Sequence, residues 1–195
     1  SACSPLVYRD SALPGLRDQI LACAPAQNLV HRALLSRDGT LLKIRRTAGE
    51  AKSEFLASGD IWFHPIHLSI GPEGAIYIAD YYREIIEDYS AIPRYLQQQY
   101  GLADGNNHGR IWRLTHEEMP EPQSPNLAKL SNIALADELA SPRHWRRQTA
   151  RRVLLERGAR LPKTALPTDD TDAAVNTLYT LDGLGQLNDN TLANA

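Results

Sequence analysis

Apolar and polar positions follow two different periods along the chain. Leu29 to Leu35 and Thr40 to Arg46 flank Ser36-Arg37-Asp38-Gly39. Asp-Gly between two apolar runs predicts a β-hairpin, because the turn needs a residue at positive φ. Ile66, Leu68 and Ile70 then alternate with His67 and Ser69, Gly71-Pro72-Glu73-Gly74 predicts a turn, and Ile76 and Ile78 resume the alternation with Tyr77 and Ala79. Arg110 to Thr115 adds one more strand. Asp88 to Asn107, rich in Tyr, Gln, Gly and Asn, reads as a long excursion with a helical turn near Arg94 to Tyr100. Excursions of that length in a compact β domain commonly carry function.

After Met119 to Pro125, with three prolines in seven residues, the period becomes helical. The expected organisation is therefore a β region over 1–118, a Pro-rich linker over 119–130 and helices over 131–195. Ser131 is the expected N-cap of a helix over Asn132 to Ala140. Ser141 and Pro142 predict the cap and first position of the next, Trp145, Ala150, Val153 and Leu154 its apolar stripe, and Gly158 its end. A third helix is expected over Thr171 to Leu184 with Val175, Leu178 and Leu181 inward, and a fourth after Asn188. Short antiparallel helices that cannot bury a face alone suggest a repeat array. The strand-like opening and helix-like close predict a segment of a longer chain.

Composition leaves this picture standing and narrows the partners. The 195 residues are 43% hydrophobic and 23% charged, a globular balance. The 21 Lys and Arg oppose 23 Asp and Glu, for a net charge of −2, so no whole-chain field favours nucleic acid or an anionic membrane. No apolar run approaches the roughly 18 residues of a membrane-spanning helix. Seven arginines lie between Arg143 and Arg160. Arg143, Arg147 and Arg151, at helical spacing, predict a solvated stripe or pairing with a neighbouring element. Cys3 and Cys23 form neither a zinc site nor the C-x-x-C-H of a covalent haem. They are a candidate disulfide if their segments are adjacent antiparallel strands, and otherwise two small buried thiols.

Several stretches resemble a known family when read together. These are Ser1-Ala2-Cys3-Ser4-Pro5 with Tyr8-Arg9, Asn28-Leu29-Val30-His31-Arg32, Glu54 to Pro65 (EFLASGDIWFHP) and Gly71 to Arg83 (GPEGAIYIADYYR), in that order. The sequence resembles the large secreted proteins of planctomycete and verrucomicrobial type described as membrane-bound dehydrogenases or haem-binding C-x-x-C-H proteins. The resemblance continues through Leu135 to Gly158 and Leu178 to Gly185. It implies partial β-propeller blades of sugar-dehydrogenase type, followed by HEAT-like α-helical repeats, with a cytochrome c domain on a missing segment. His64 stands where that family usually has Arg, and Ala24 where it usually has an acidic residue.

What the resemblance implies about chemistry is specific. A propeller gathers polar residues around a central channel, which nominates His31, Arg32, Asp60, His64, Asp80 and Arg83. Oxidation of a sugar or alcohol with a quinone needs a base, cations near the quinone carboxylates and a hard cation. His64 and Asp80 are then the catalytic candidates, with Asp80 as cation ligand or orienting group, and Arg32, Arg83 and His31 the cofactor-binding ones. The cofactors would be pyrroloquinoline quinone and calcium, the electron acceptor a cytochrome domain, and the location extracytoplasmic. From the residues themselves, Asp80 and Arg83 at a strand end more commonly form a turn-stabilising network, and the spacing of His64 and His67 on a strand points them to opposite faces, which argues against a two-His metal site. A binding module for carbohydrate or partner proteins is the alternative from another class.

Overall fold

A computed structural model describes residues 2–86, 91–119, 121, 125–161 and 170–189 of the chain. It contains antiparallel sheets in the N-terminal part and helices in the C-terminal part. The chain divides into two compact units. The first comprises residues 1–9, 13–70 and 75–117. The second comprises 118–195 together with two short loop pieces, 10–12 and 71–74.

The first unit carries β1 (Cys3–Val7), β2 (Gln19–Ala24), β3 (Leu29–Asp38), β4 (Leu41–Arg46) and the short β5 (Leu56–Ala57). They form a sheet of order β1-β2-β3-β4, with β5 on the start of β3. A second sheet orders β6 (Pro65–Ile70), β7 (Ile76–Asp80) and β8 (Arg110–Leu114) as a meander. Every pairing is antiparallel. The expected hairpins are present, with one shift. β3 runs on to Asp38, so the turn is Gly39-Thr40 alone, with Gly39 at φ 60 and Thr40 at negative φ. Glycine at the first central position is what a type II′ hairpin loop requires, and that loop matches the twist of the flanking strands. Alternation buries Leu21, Cys23, Val30, Leu68, Ile76 and Ile78, while Tyr8, fully buried, accepts a hydrogen bond on its hydroxyl from the Leu13 amide at 3.0 Å. Within the excursion, α1 (Arg94–Gln99) supplies the expected helical turn; residues 88–90 lie outside the described residues.

The second unit contains α2 (Asn132–Glu138), α3 (His144–Glu156) and α4 (Thr171–Gly183) around a core of Leu127, Leu135, Leu139, Ala150, Val153 and Leu154. Ser131 caps α2 as expected, its hydroxyl accepting from the Ala134 amide at 3.2 Å. Two expectations need correction, and a third is decided between its alternatives. Ser141 does not cap α3: Arg143 is the N-cap residue, Ser141 Oγ accepts from the Arg143 amide, and the His144 amide donates to Asp10 Oδ2 at 2.7 Å. A carboxylate remote in sequence thus takes the place of the local cap. Of the two readings of Arg143, Arg147 and Arg151, pairing with neighbouring elements holds and the solvated stripe does not. Arg143 pairs with Asp10 at 2.9 Å, Arg147 is buried and donates to the Ser141 carbonyl at 2.7 Å, and Arg151 lies over the Tyr179 ring. In α4 Leu181 packs against the core as expected, but the buried positions are Ala173, Asn176 and Thr180, and Val175 is exposed. Hydrogen bonds turn this face inward: Asn176 Nδ2 donates to the Asp172 carbonyl and its Oδ1 accepts from Gln148, while Thr180 Oγ1 donates to the Asn176 carbonyl. Gly74, at φ 91, is required where it stands, since a Cβ there would lie 2.5 Å from both Ala12 Cβ and Asp10 Oδ1. The expected fourth helix lies outside the described residues.

Candidate functional site

Alternation along β8 puts Arg110, Trp112 and Leu114 on one face. Antiparallel register then sets Arg110 opposite Asp80 at the end of β7. Asp80 is buried and takes five donated hydrogen bonds. Its Oδ1 accepts from the His64 amide at 3.0 Å and the Tyr82 amide at 3.1 Å. Its Oδ2 accepts from Arg110 Nε at 3.2 Å, Arg110 Nη2 at 3.1 Å and Trp112 Nε1 at 3.0 Å. One carboxylate therefore fixes the turn after β7 and aims both an arginine and an indole. An ion pair with Arg110 offsets the desolvation of the buried charge.

The guanidinium of Arg110 lies between two rings, 3.9 Å from the centroid of Tyr82 and 4.7 Å from that of Trp112, an arrangement favoured by the quadrupole of each ring. Trp62 meets Tyr82 edge to face with centroids 5.5 Å apart. Tyr82, a non-glycine residue at φ 47, holds its ring there with its phenol bonded to Asp60. Loss of solvation, then the charge of Asp60 and the hydrogen bond to it, push this phenol above the ordinary tyrosine range. Beside this stack lies a cleft of about 380 Å³. Leu56, Phe63, Ile78 and Leu114 form its apolar wall, and Ser58, Asp60, Arg110, Trp112 and Arg113 complete it. Its size is near the lower end of small-ligand sites, roughly 300–1,000 Å³. Trp112 remains 46% exposed although its N–H is anchored.

The structure brings together only part of the sequence-predicted set. Asp60 lines the cleft, and Asp80 stands behind Arg110 and Trp112. His64 joins them through its backbone, while its buried ring uses Nδ1–H to donate to the Pro25 carbonyl at 2.8 Å. Its Nε2 is buried with no hydrogen-bond partner among the described residues. Neighbouring His67 is exposed, and its Nδ1 lies 3.1 Å from Ser4 Oγ. Arg83 lies with its guanidinium 4.6 Å from the Tyr81 ring centroid. His31 and Arg32 belong to β3 and other partners. Arg32 pairs with Glu50 and lies over Phe55, and His31 Nδ1 donates to Glu54 at 2.7 Å. The hydrogen bond from Arg46 chiefly, and that from His31, hold the Glu54 carboxyl below its usual range against partial desolvation. Cys3 and Cys23 are register partners on β1 and β2, and both are free thiols.

These engagements test the implied cofactors. Both oxygens of Asp80 are occupied by donors, which does not suit a calcium ligand, and Arg32 already neutralises a carboxylate. Among the described residues no three His, Cys, Asp or Glu side chains are grouped to hold a metal ion. Asp80 and Arg32 are thus already engaged by partners within the protein. Missed by the sequence reading were Arg110, Trp112, Trp62 and Tyr82. The alternating Arg110-Ile111-Trp112 was a usable signal, because period two places the cation and the indole on one face.

Residues 1–118 match a family model described as a domain of unknown function, DUF7133. The chain belongs to this family. The DUF7133 match spans the β region, including every residue of the cleft and of the Asp80 network. No curated protein and no solved structure matches the chain. No helix among the described residues is long and apolar enough to cross a membrane.

Proposed function

We propose that the DUF7133 region is a non-catalytic carbohydrate-binding module of an extracytoplasmic protein, and that a neutral sugar lies against Trp112 in the cleft. One observation carries this reading: an indole almost half exposed whose N–H is tied to a buried carboxylate. A pyranose ring has an apolar C–H face that packs on an indole, and rim hydroxyls that need donors and acceptors. Asp60, Ser58 and Arg110 offer both kinds at the edge of the same cleft. Anchoring Trp112 and Arg110 beforehand lowers the ordering cost of binding.

The wider architecture is proposed on the same footing. The β1-β2-β3-β4 meander followed by β6-β7-β8 supports two neighbouring propeller blades, and α2, α3 and α4 support the start of HEAT-like repeats. The resemblance in sequence supports both. For sugar or alcohol oxidation, the prior engagement of Asp80 and Arg32 weighs in favour of the module.

Calorimetric titration of the 195-residue chain with neutral mono- and disaccharides tests the proposal. At least one sugar should bind, Trp112→Ala should weaken it about tenfold or more, and Asp80→Asn should weaken it less, by loosening Trp112. Absence of binding across the panel, or binding indifferent to Trp112→Ala, overturns the module. Dye reduction by the chain supplied with pyrroloquinoline quinone, calcium and the same sugars would replace it with a dehydrogenase.

A further inference from the structure

Strand β1 carries one residue more than β2 where the two pair. Leu6 faces Leu21 and Val7 faces Ile20, so an unbroken ladder would set Cys3 opposite Ala24 and Ser4 opposite Cys23. The register instead shifts between Cys3 and Leu6 and brings Cys3 opposite Cys23. Ser4 lies in this bulge at φ 48, a backbone region that a side chain disfavours. Its hydroxyl accepts from the Leu68 amide at 2.9 Å and lies 3.1 Å from His67 Nδ1. Bulges re-aim side chains, and this one puts a thiol, in place of a hydroxyl, against Cys23.

Directly opposed residues of an antiparallel pair have their side chains on one face and Cα atoms about 4.5 or 5.5 Å apart. Both separations fall within the roughly 4.4–6.8 Å that a disulfide spans. The two thiols differ in setting. Cys3 is half-buried, and its thiol donates to the Ile66 carbonyl at 3.4 Å. Cys23 is fully buried, and burial chiefly, then the Cys3 thiol, push its pKa up to about 12. A reagent in solution therefore meets Cys3 first, and Cys23 is a slow nucleophile near neutral pH.

We propose that Cys3 and Cys23 form a cross-strand disulfide by exchange with a small-molecule disulfide, Cys3 being the entry thiol and Cys23 the resolving one. The Cys3 thiolate attacks one sulfur of the oxidant, whose S–S bond breaks and releases one thiolate. The Cys23 thiolate then attacks the Cys3 sulfur of the mixed disulfide and releases the second. In sum the two cysteines lose two electrons and two protons, and the oxidant takes them up as two thiols. The bond ties β1, the outermost strand of its sheet, to β2. It also removes the Cys23 proton, so alkaline titration of that thiol is a property of the reduced chain.

The test follows the reduced 195-residue chain by mass spectrometry after addition of excess glutathione disulfide, each sample being quenched by alkylation in denaturant. At pH 7 the chain should first gain one glutathione and then lose it, ending two hydrogens lighter than it began. Trypsin cutting after Arg9, Arg17 and Arg32 separates the two cysteines. The intermediate should carry glutathione on the peptide over 1–9, and the product should hold that peptide joined to the one over 18–32. Because Cys23 stays mostly protonated, the second step should quicken about tenfold per pH unit between pH 7 and pH 9. Cys23→Ser should stop at the mixed disulfide on Cys3, and Cys3→Ser should react at least about tenfold more slowly than Cys23→Ser. A chain that stays a dithiol or a stable adduct, a disulfide that appears at pH 7 without the adduct, a second step indifferent to pH, or a Cys3→Ser chain as reactive as Cys23→Ser each overturn the proposal. The pH series and the peptides of the unaltered chain decide the order of attack even where a variant folds poorly. Sugar binding in the cleft uses other residues and is unaffected by any of these outcomes.

Discussion

Asp80 shows how a single residue type supports two different readings. An acidic residue at a strand end suits both a catalytic role and a turn-stabilising network, and sequence spacing does not choose between them. Five donated hydrogen bonds do: the carboxylate organises Arg110 and Trp112 and has little left for a ligand. Cys23 is a second case. Its thiol is fully buried opposite Cys3, and burial chiefly, with the Cys3 thiol adding to it, pushes its pKa from 9.0 up to about 12. A raised value means that the folded state keeps the proton longer than the unfolded one. The stability linked to Cys23 is therefore complete below about pH 9 and is lost as pH rises from there toward about 12. Denaturant unfolding between pH 8 and about 11 should show a fall in stability that Cys23→Ala makes shallower, from a lower starting value because of the cavity. An unchanged slope in that variant would place the alkaline sensitivity elsewhere.

Elements were legible where their determinants are local. The β6–β7 hairpin follows from alternation around Gly71-Pro72-Glu73-Gly74, and α2 from the Ser131 cap. Local logic failed at α3 and α4. Ser141 and Pro142 form a good helix start, yet the helix begins at His144 because Asp10, more than a hundred residues away, receives the His144 amide and the Arg143 guanidinium. Removing the carboxylate leaves a helix-end donor and a half-buried cation without it. Asp10→Ala should therefore cost about 2–4 kcal/mol, while Ser141→Ala, at a position that does not cap, should cost under about 1 kcal/mol. Thermal melts followed by helical circular dichroism check the order of the two. In α4 the apolar count favoured Val175 inward, but Asn176 and Thr180 satisfy their polar groups within and beside the helix, so burying them carries little penalty.

At the scale of the whole molecule, charge is the property read most directly from composition. The net charge of −2 and a pI near 6.3 predict a solubility minimum close to pH 6.3, where like-charge repulsion between molecules vanishes. Light scattering across pH 5–8 at low salt should peak there, and a featureless profile would show that local surfaces outweigh net charge. By itself the sequence determined the order of strands before helices, the change of period near Met119, most turns, and the absence of a strong overall field, because each depends on neighbouring residues or on a simple sum. Only the tertiary structure decided that Asp80 anchors Trp112, that Asp10 starts α3, and that a bulge in β1 brings Cys3 opposite Cys23. Those facts depend on which distant residues meet, and in what register.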